Sequence, residues 1–151
     1  MVLTVHILIG AAVAEKTGNP ILGLLFAFLS HYLMDAIPHQ EYSIRGIEEG
    51  RWKNSSKNFL KIFLDILIGF FLITIFSKNY FLAFLGGFSA ILPDILTFLY
   101  FIFPKIKPLH LLSKFHKKTH WFKNYKIKIP LFWGIFTQVL ILFLAISIFL
   151  R

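Results

Sequence analysis

Residues 80–103 read YFLAFLGGFSAILPDILTFLYFIF, and Asp94 is the only charged side chain among them. A helix crosses the hydrocarbon core of a bilayer with about 20 apolar residues, so this stretch is long enough to span. Pro93 stands directly before the acid. Three more stretches of spanning length lie on either side: 20–37, opened by Asn19-Pro20 and closed by Pro38; 59–76; and 130–150, opened by Pro130. A proline in the first turn suits a helix start, because its missing N–H has no intrahelical partner there. A fifth stretch, 2–14, is interrupted by Thr4 and His6 and is short for a span, so it fits a tilted or re-entrant helix as well as a crossing one.

The composition agrees. Hydrophobic residues make up 57% of the 151, charged residues 15%, and Phe alone occurs 19 times. With a mean hydropathy of +0.72, an ordinary soluble domain and a disordered chain are both excluded. No cysteine is present, which removes disulfides, thiolate metal sites and a cysteine nucleophile. The expected fold is a single all-α integral membrane domain over 1–151, a bundle of four or five transmembrane helices. Ala12-Val13-Ala14 resembles a signal-peptidase site, yet no Lys or Arg precedes the apolar run, and cleavage is not expected.

Charge sets the expected orientation. The loop 104–129 carries Lys105, Lys107, Lys114, Lys117, Lys118, Lys123, Lys126 and Lys128 and no acid, which supplies nearly all of the net charge of +9. The loop 38–58 adds Arg45, Arg51, Lys53 and Lys57 against Glu41, Glu48 and Glu49. The positive-inside rule makes both long loops and the N-terminus cytoplasmic, in a protein of the plasma (inner) membrane. The mixture of Lys and aromatic side chains over 114–123 suits an amphipathic helix lying on anionic lipid headgroups. It also suits a surface that attracts a substrate phosphate; nucleic acid is disfavoured as a partner.

Against this apolar background the ionisable residues stand out. Asp35, Asp65, Asp94, His6 and His31 all lie in or at apolar segments. Each costs about 2.5–3.5 kcal/mol at bilayer depth on insertion scales unless it is paired. Under the expected topology they fall in the cytoplasmic half, together with His39, His116 and His120. His31 and Asp35 are spaced i, i+4, as are His116 and His120, so each pair shares a helix face and can grip one ion. Imidazole and carboxylate suit zinc, and also manganese or iron. The candidate metal ligands are His6, His31, Asp35, Asp94, His116 and His120, with His39 a further ligand or catalytic group and Asp65 a ligand or the general base. Plainer roles remain open at this point: His6 as a core histidine on a carbonyl, Asp65 as a partner for Lys61, Asp94 as a helix cap after Pro93, and His116 and His120 as interfacial polar groups. Gly86, Gly87 and Ala90 suit close helix packing.

Thr4-Val5-His6 followed by Gly10, then Leu92-Pro93-Asp94, then His116-x-x-x-His120 before Trp121, resembles the small membrane-bound metal-dependent hydrolases. That group includes the inner-membrane-associated hydrolases described as LexA-binding. His31-x-x-x-Asp35 with His39 is similar, more weakly, to the ligand pattern of zinc-dependent phospholipase C. The resemblance implies a divalent metal and hydrolysis of a phosphoester or lipid at the cytoplasmic surface. Two other readings fit the same residues: a small ion, proton or metal transporter, and a non-catalytic scaffold with a structural polar or metal cluster. Sidedness speaks against transport, because segment 130–150 offers only Thr137, Gln138 and Ser147 as polar residues.

Overall fold

The computed structural model describes residues 1–125 and 127–151, and of Asn124 the backbone alone. Lys126 of the basic loop lies outside the described residues. Among these residues the chain forms eight α-helices: α1 (Leu3–Thr17), α2 (Pro20–Asp35), α3 (Arg45–Glu48), α4 (Ser56–Phe76), α5 (Tyr80–Ile102), α6 (Lys107–Thr119), α7 (Trp121–Asn124) and α8 (Leu131–Leu150). A 3-10 turn, Trp52–Asn54, precedes α4.

Local chemistry sets the boundaries. Gly18 takes a left-handed conformation (φ 68°) that ends α1. Asn19 then caps α2, its side chain accepting from the Leu22 amide at 3.1 Å, with Pro20 in the first turn. Asn79 caps α5 in the same way through the Leu82 amide. Pro38 disfavours helical geometry in the residue before it, and α2 accordingly closes at Asp35 rather than Ile37. α5 runs unbroken through Pro93, so Asp94 is not the cap of a second helix.

Three helices, α4, α5 and α8, are long and apolar enough to cross a membrane. The expected four or five spans thus reduce to three of full length. The reason lies in α1 and α2, which have 15 and 16 residues. α1 is the central strut of the bundle, surrounded by α2, α4, α5 and α8. Val5 to Ala12 are all buried.

Apolar burial alone does not hold helices together in lipid, where the tails are as apolar as leucine, so small residues at the contacts matter most. Gly10 of α1 meets Gly86 and Ala90 of α5. A Cβ on Gly86 would lie 2.7 Å from the Gly10 carbonyl oxygen, and Gly23 of α2 is pressed as closely on the Ala14 backbone. The expected close packing at Gly86, Gly87 and Ala90 is present, and its partner is α1.

A buried helix start leaves N–H groups that need acceptors. Neighbouring helices supply them. Asp65 of α4 accepts from the Leu3 and Thr4 amides at 2.7 and 2.9 Å and from the Thr4 hydroxyl at 2.6 Å. Gln138 of α8 accepts from the Val2 amide at 3.0 Å. This start of α1 lies at the end of the bundle that carries both long loops. At the opposite end Glu15 receives the Ser77 hydroxyl and the Lys78 amide.

α6 is the expected amphipathic basic helix of the last long loop. It lies along α5, with Ser113 and His116 buried and Leu111 and Phe115 exposed. Lys117 reaches over the rings of Tyr100 and Phe101 at 5.9 and 5.3 Å from their centroids.

Candidate metal centre

Asp35, the last residue of α2, is 1% exposed and sits at the centre of five imidazoles. Its Oδ2 has the Nε2 atoms of His31, His116 and His120 at 3.0, 2.9 and 3.1 Å. Its Oδ1 has His6 Nε2 at 3.2 Å, His39 Nε2 at 3.9 Å and the Met1 amino group at 3.0 Å. α1 contributes His6, α2 His31 and Asp35, the following loop His39, and α6 with its C-terminal cap His116 and His120. The i, i+4 spacing of His31 with Asp35 brings both to one site, as the sequence suggests.

Glu41 extends the cluster. Its Oε1 lies 2.7 Å from His39 Nε2, 3.4 Å from His120 Nδ1 and 3.0 Å from the Met1 amino group, and Lys123 donates to its Oε2. Asp94 stands at the margin, 33% exposed, with Oδ1 3.7 Å from His116 Nε2.

Hydrogen bonding fixes which ring nitrogens are free. A carbonyl only accepts, so His31 Nδ1–H donates to the Ala90 carbonyl at 2.7 Å and His39 Nδ1–H donates to the Ile37 carbonyl at 2.6 Å. Pro93 has no N–H to return to Ser89, in the same turn of α5 that offers the Ala90 carbonyl to His31. Both histidines therefore point Nε2 inward. In the neutral ring that atom is a bare lone pair, and here it faces a carboxylate oxygen. His31 Nε2 and His116 Nε2 also face one another at 3.0 Å, where at most one proton fits. His6 stacks on His31, with ring centroids 4.1 Å apart, and neither of its buried ring nitrogens has a hydrogen-bond partner.

Imidazole nitrogens gathered on carboxylate oxygens in this way could hold a metal ion. Metal-ligating histidines hold their other N–H on a backbone carbonyl or carboxylate, which is the arrangement of His31 and His39. Three sets of ligand atoms lie within 4.8 Å of one another: Asp35, His39, Glu41 and His120; His31, Asp35 and His116; and His6, His31 and Asp94. Asp35 belongs to two of the sets, as does His31. The buried His and Asp side chains could hold a metal ion.

The electrostatics outside the spans suit this use. Burial alone would raise the Glu41 pKa, but the His39 hydrogen bond, the Met1 amino group and Lys123 outweigh it and hold the carboxyl well below its usual range. Burial lowers the pKa of His120 against the opposing pull of Asp35, which favours the neutral ligating ring. Burial, then the Asp65 charge, pushes the Tyr42 hydroxyl well above its ordinary value. It stays a phenol and donates to Asp65 at 3.0 Å.

Of the residues singled out in the sequence, His6, His31, Asp35, His39, His116 and His120 come together, with Asp94 beside them. Asp65 does not join them. Its carboxylate is taken up by the start of α1 and by Tyr42, it belongs to none of the three sets, and it makes no ion pair with Lys61 among the described residues. In this arrangement Asp65 holds the start of α1 and, through Tyr42, the loop carrying His39 and Glu41. His110 lies apart, against Tyr100. Glu41 is the residue that sequence reasoning missed. His39-x-Glu41, one turn beyond Asp35, is the signal that would have found it.

Comparison with known proteins finds no matching family model, no matching curated protein and no matching solved structure. The structure supports a helical protein with three membrane-length apolar helices and a buried His/Asp cluster able to hold a metal.

Proposed function

We propose that the chain is a membrane-embedded, metal-dependent hydrolase acting on a phosphoester or lipid at the loop-side surface of the membrane. By the distribution of Lys and Arg that surface is cytoplasmic. One observation carries the reading: the inward Nε2 atoms of His31 and His39, their Nδ1–H groups anchored on carbonyls, converge with three further imidazoles on Asp35. His31, Asp35, His116 and His120 would hold a divalent ion there, which would supply a water of lowered pKa, toward about 7, and a Lewis acid for a phosphoryl oxygen.

The chain's own residues do the rest. Asp35 and Glu41 set the charge of the site. Thr97 orients His116 through Nδ1 at 2.9 Å. Asp94, partly exposed at the margin with Oδ1 3.7 Å from His116 Nε2, is the carboxylate we assign to receive a proton from water beside the cluster. Lysines of the loop 104–129 draw an anionic substrate toward the site.

The transport reading fares less well. Thr137 and Gln138 of α8 are occupied with the backbone of Pro38, Gln40 and Gly134. Among the described residues, every buried His and Asp lies at the loop-side end of the bundle. The test is hydrolysis of bis(p-nitrophenyl) phosphate and of phospholipids by the purified protein loaded with zinc, manganese or iron. Metal-dependent release of product that disappears in His116→Ala is expected. A folded, metal-loaded protein that cleaves none of them removes the hydrolase reading and leaves a metal-stabilised scaffold.

A further inference from the structure

Two cavities flank the cluster and meet at Glu41, Tyr42 and Ile44. The first, of about 500 Å³, lies between α4 and α5, with apolar walls from Phe59, Ile62 and Ile66 on one side and Ile91, Ile95 and Phe98 on the other. Its polar end is formed by Glu41, Asp94 and His120. Phe63, at its edge, is 61% exposed, so the cavity opens on the face that α4 presents to lipid. The second, of about 640 Å³, is polar. It lies between the loop that follows α2 and the loop that follows α7, and Arg45, Lys123 and Lys128 border it.

We propose that an anionic phospholipid occupies both cavities, its acyl chain between α4 and α5 and its headgroup in the polar basin, with the phosphoester beside Glu41 and His120. Three features point to this occupant. Both walls of the apolar cavity belong to helices of membrane length, so what fills it in a bilayer is a lipid chain. The volume falls within the range of about 300–1,000 Å³ common for small-ligand sites. The basin sets Arg45, Lys123 and Lys128 against Glu41 and Glu48, an excess of cations, and the loop 104–129 around it carries lysines and no acid.

Lys61, exposed on α4 one turn before Asp65, marks the headgroup level. At about 1.5 Å per residue it stands roughly 6 Å above the start of α1, which places the cluster at the reach of a lipid phosphate. The cleavage step, though not the occupancy, rests on the hydrolase reading. In that step the oxygen of water bonds to phosphorus, one phosphorus–oxygen ester bond breaks, and the proton lost by the water passes by way of Asp94 to the departing alkoxide.

The probe is phosphatidic acid with a photoreactive diazirine in mid-chain, one equivalent per protein in detergent micelles, with labelled peptides mapped by mass spectrometry. Labelling concentrated on Ile62, Ile66, Ile95 and Phe98, displaced by excess phosphatidic acid but not by phosphatidylcholine, is expected. Ile95→Trp fills the cavity and should reduce labelling at least fivefold. Leu140→Trp, on the exposed face of α8, should leave it unchanged; Ile62→Trp replaces the first variant if that one does not fold. Labelling spread evenly over α4 and α8, or displaced equally by phosphatidylcholine, overturns the proposal. Displaceable labelling without any cleavage keeps the lipid site and removes the hydrolase reading. Cleavage of a water-soluble diester without cavity labelling does the reverse.

Discussion

Replacing Asp65 with alanine is expected to loosen the whole bundle and to leave the metal centre's own ligands intact. The carboxylate accepts four hydrogen bonds: from the Leu3 and Thr4 amides, the Thr4 hydroxyl and the Tyr42 hydroxyl. A hydrogen bond to a charged group contributes about 1.5–3 kcal/mol, and a buried donor left without an acceptor costs about 1–3 kcal/mol. Two amides at the start of a buried helix and the Tyr42 hydroxyl lose their acceptor together, while the Thr4 hydroxyl keeps the backbone carbonyl of residue 65 at 2.8 Å. Some of the loss is recovered by water reaching the half-buried site, so a destabilisation of about 3–5 kcal/mol follows. For a chain of this size that corresponds to a fall in melting temperature of about 6–20 °C. Asp65→Asn keeps one acceptor oxygen and should cost roughly a third as much. The assay is thermal unfolding in detergent, with metal content measured on the folded fraction of each variant. The expected pattern is a lowered melting temperature with metal retained per folded molecule, most clearly in Asp65→Asn. A variant that melts like the wild type yet has lost its metal would refute the argument and return Asp65 to the ligand set.

Gly86→Ala should cost about 1–3 kcal/mol, because the new Cβ would meet the Gly10 carbonyl oxygen at 2.7 Å; a melting curve indistinguishable from wild type would show that α1 and α5 are not in close contact. Glu41→Gln removes a charge from the set Asp35, His39, Glu41 and His120, and should weaken metal binding at least tenfold in competition with a chelating dye. Lowering the pH should release metal as protons compete for the ligands; because burial lowers the pKa of His120, its neutral ligating form persists below the ordinary imidazole range, and the loss of metal should come on the acid side of that range in the same competition. Thr97→Val removes the partner of His116 Nδ1 and should weaken metal binding about 10-fold or more without unfolding the protein, read by the same competition.

The long helices were legible because length, apolarity and punctuation agree in them. α5 begins at the Asn79 cap and α8 just after Pro130, within a residue of where the sequence breaks. The role of α1 was not legible from hydropathy, since a helix buried by protein and one facing lipid are equally apolar. What separates them is residue size. Gly10, Ala11, Ala12 and Ala14 are the residues of a helix packed closely against its neighbours. In the site, helical spacing revealed His31 with Asp35 and His116 with His120, because a local period fixes those pairs.

The places of Asp65 and Glu41 were hard to read for the same physical reason. Bilayer depth identifies a costly charge but does not name its partner. Asp65 is deep in sequence yet satisfied by the start of another helix. Glu41 sits in a charged loop that reads as solvent-exposed, and only the fold turns it toward His39 and His120.

The central claim is that the cluster around Asp35 holds metal. It is tested most directly by mass-spectrometric metal analysis of the detergent-purified protein beside a His31→Ala, Asp35→Ala double variant, both confirmed as folded by circular dichroism. One or two equivalents of zinc, manganese or iron in the wild type, lost in the variant, is the expected result. A folded wild type that carries no metal, even after incubation with each ion and removal of the excess, would contradict it.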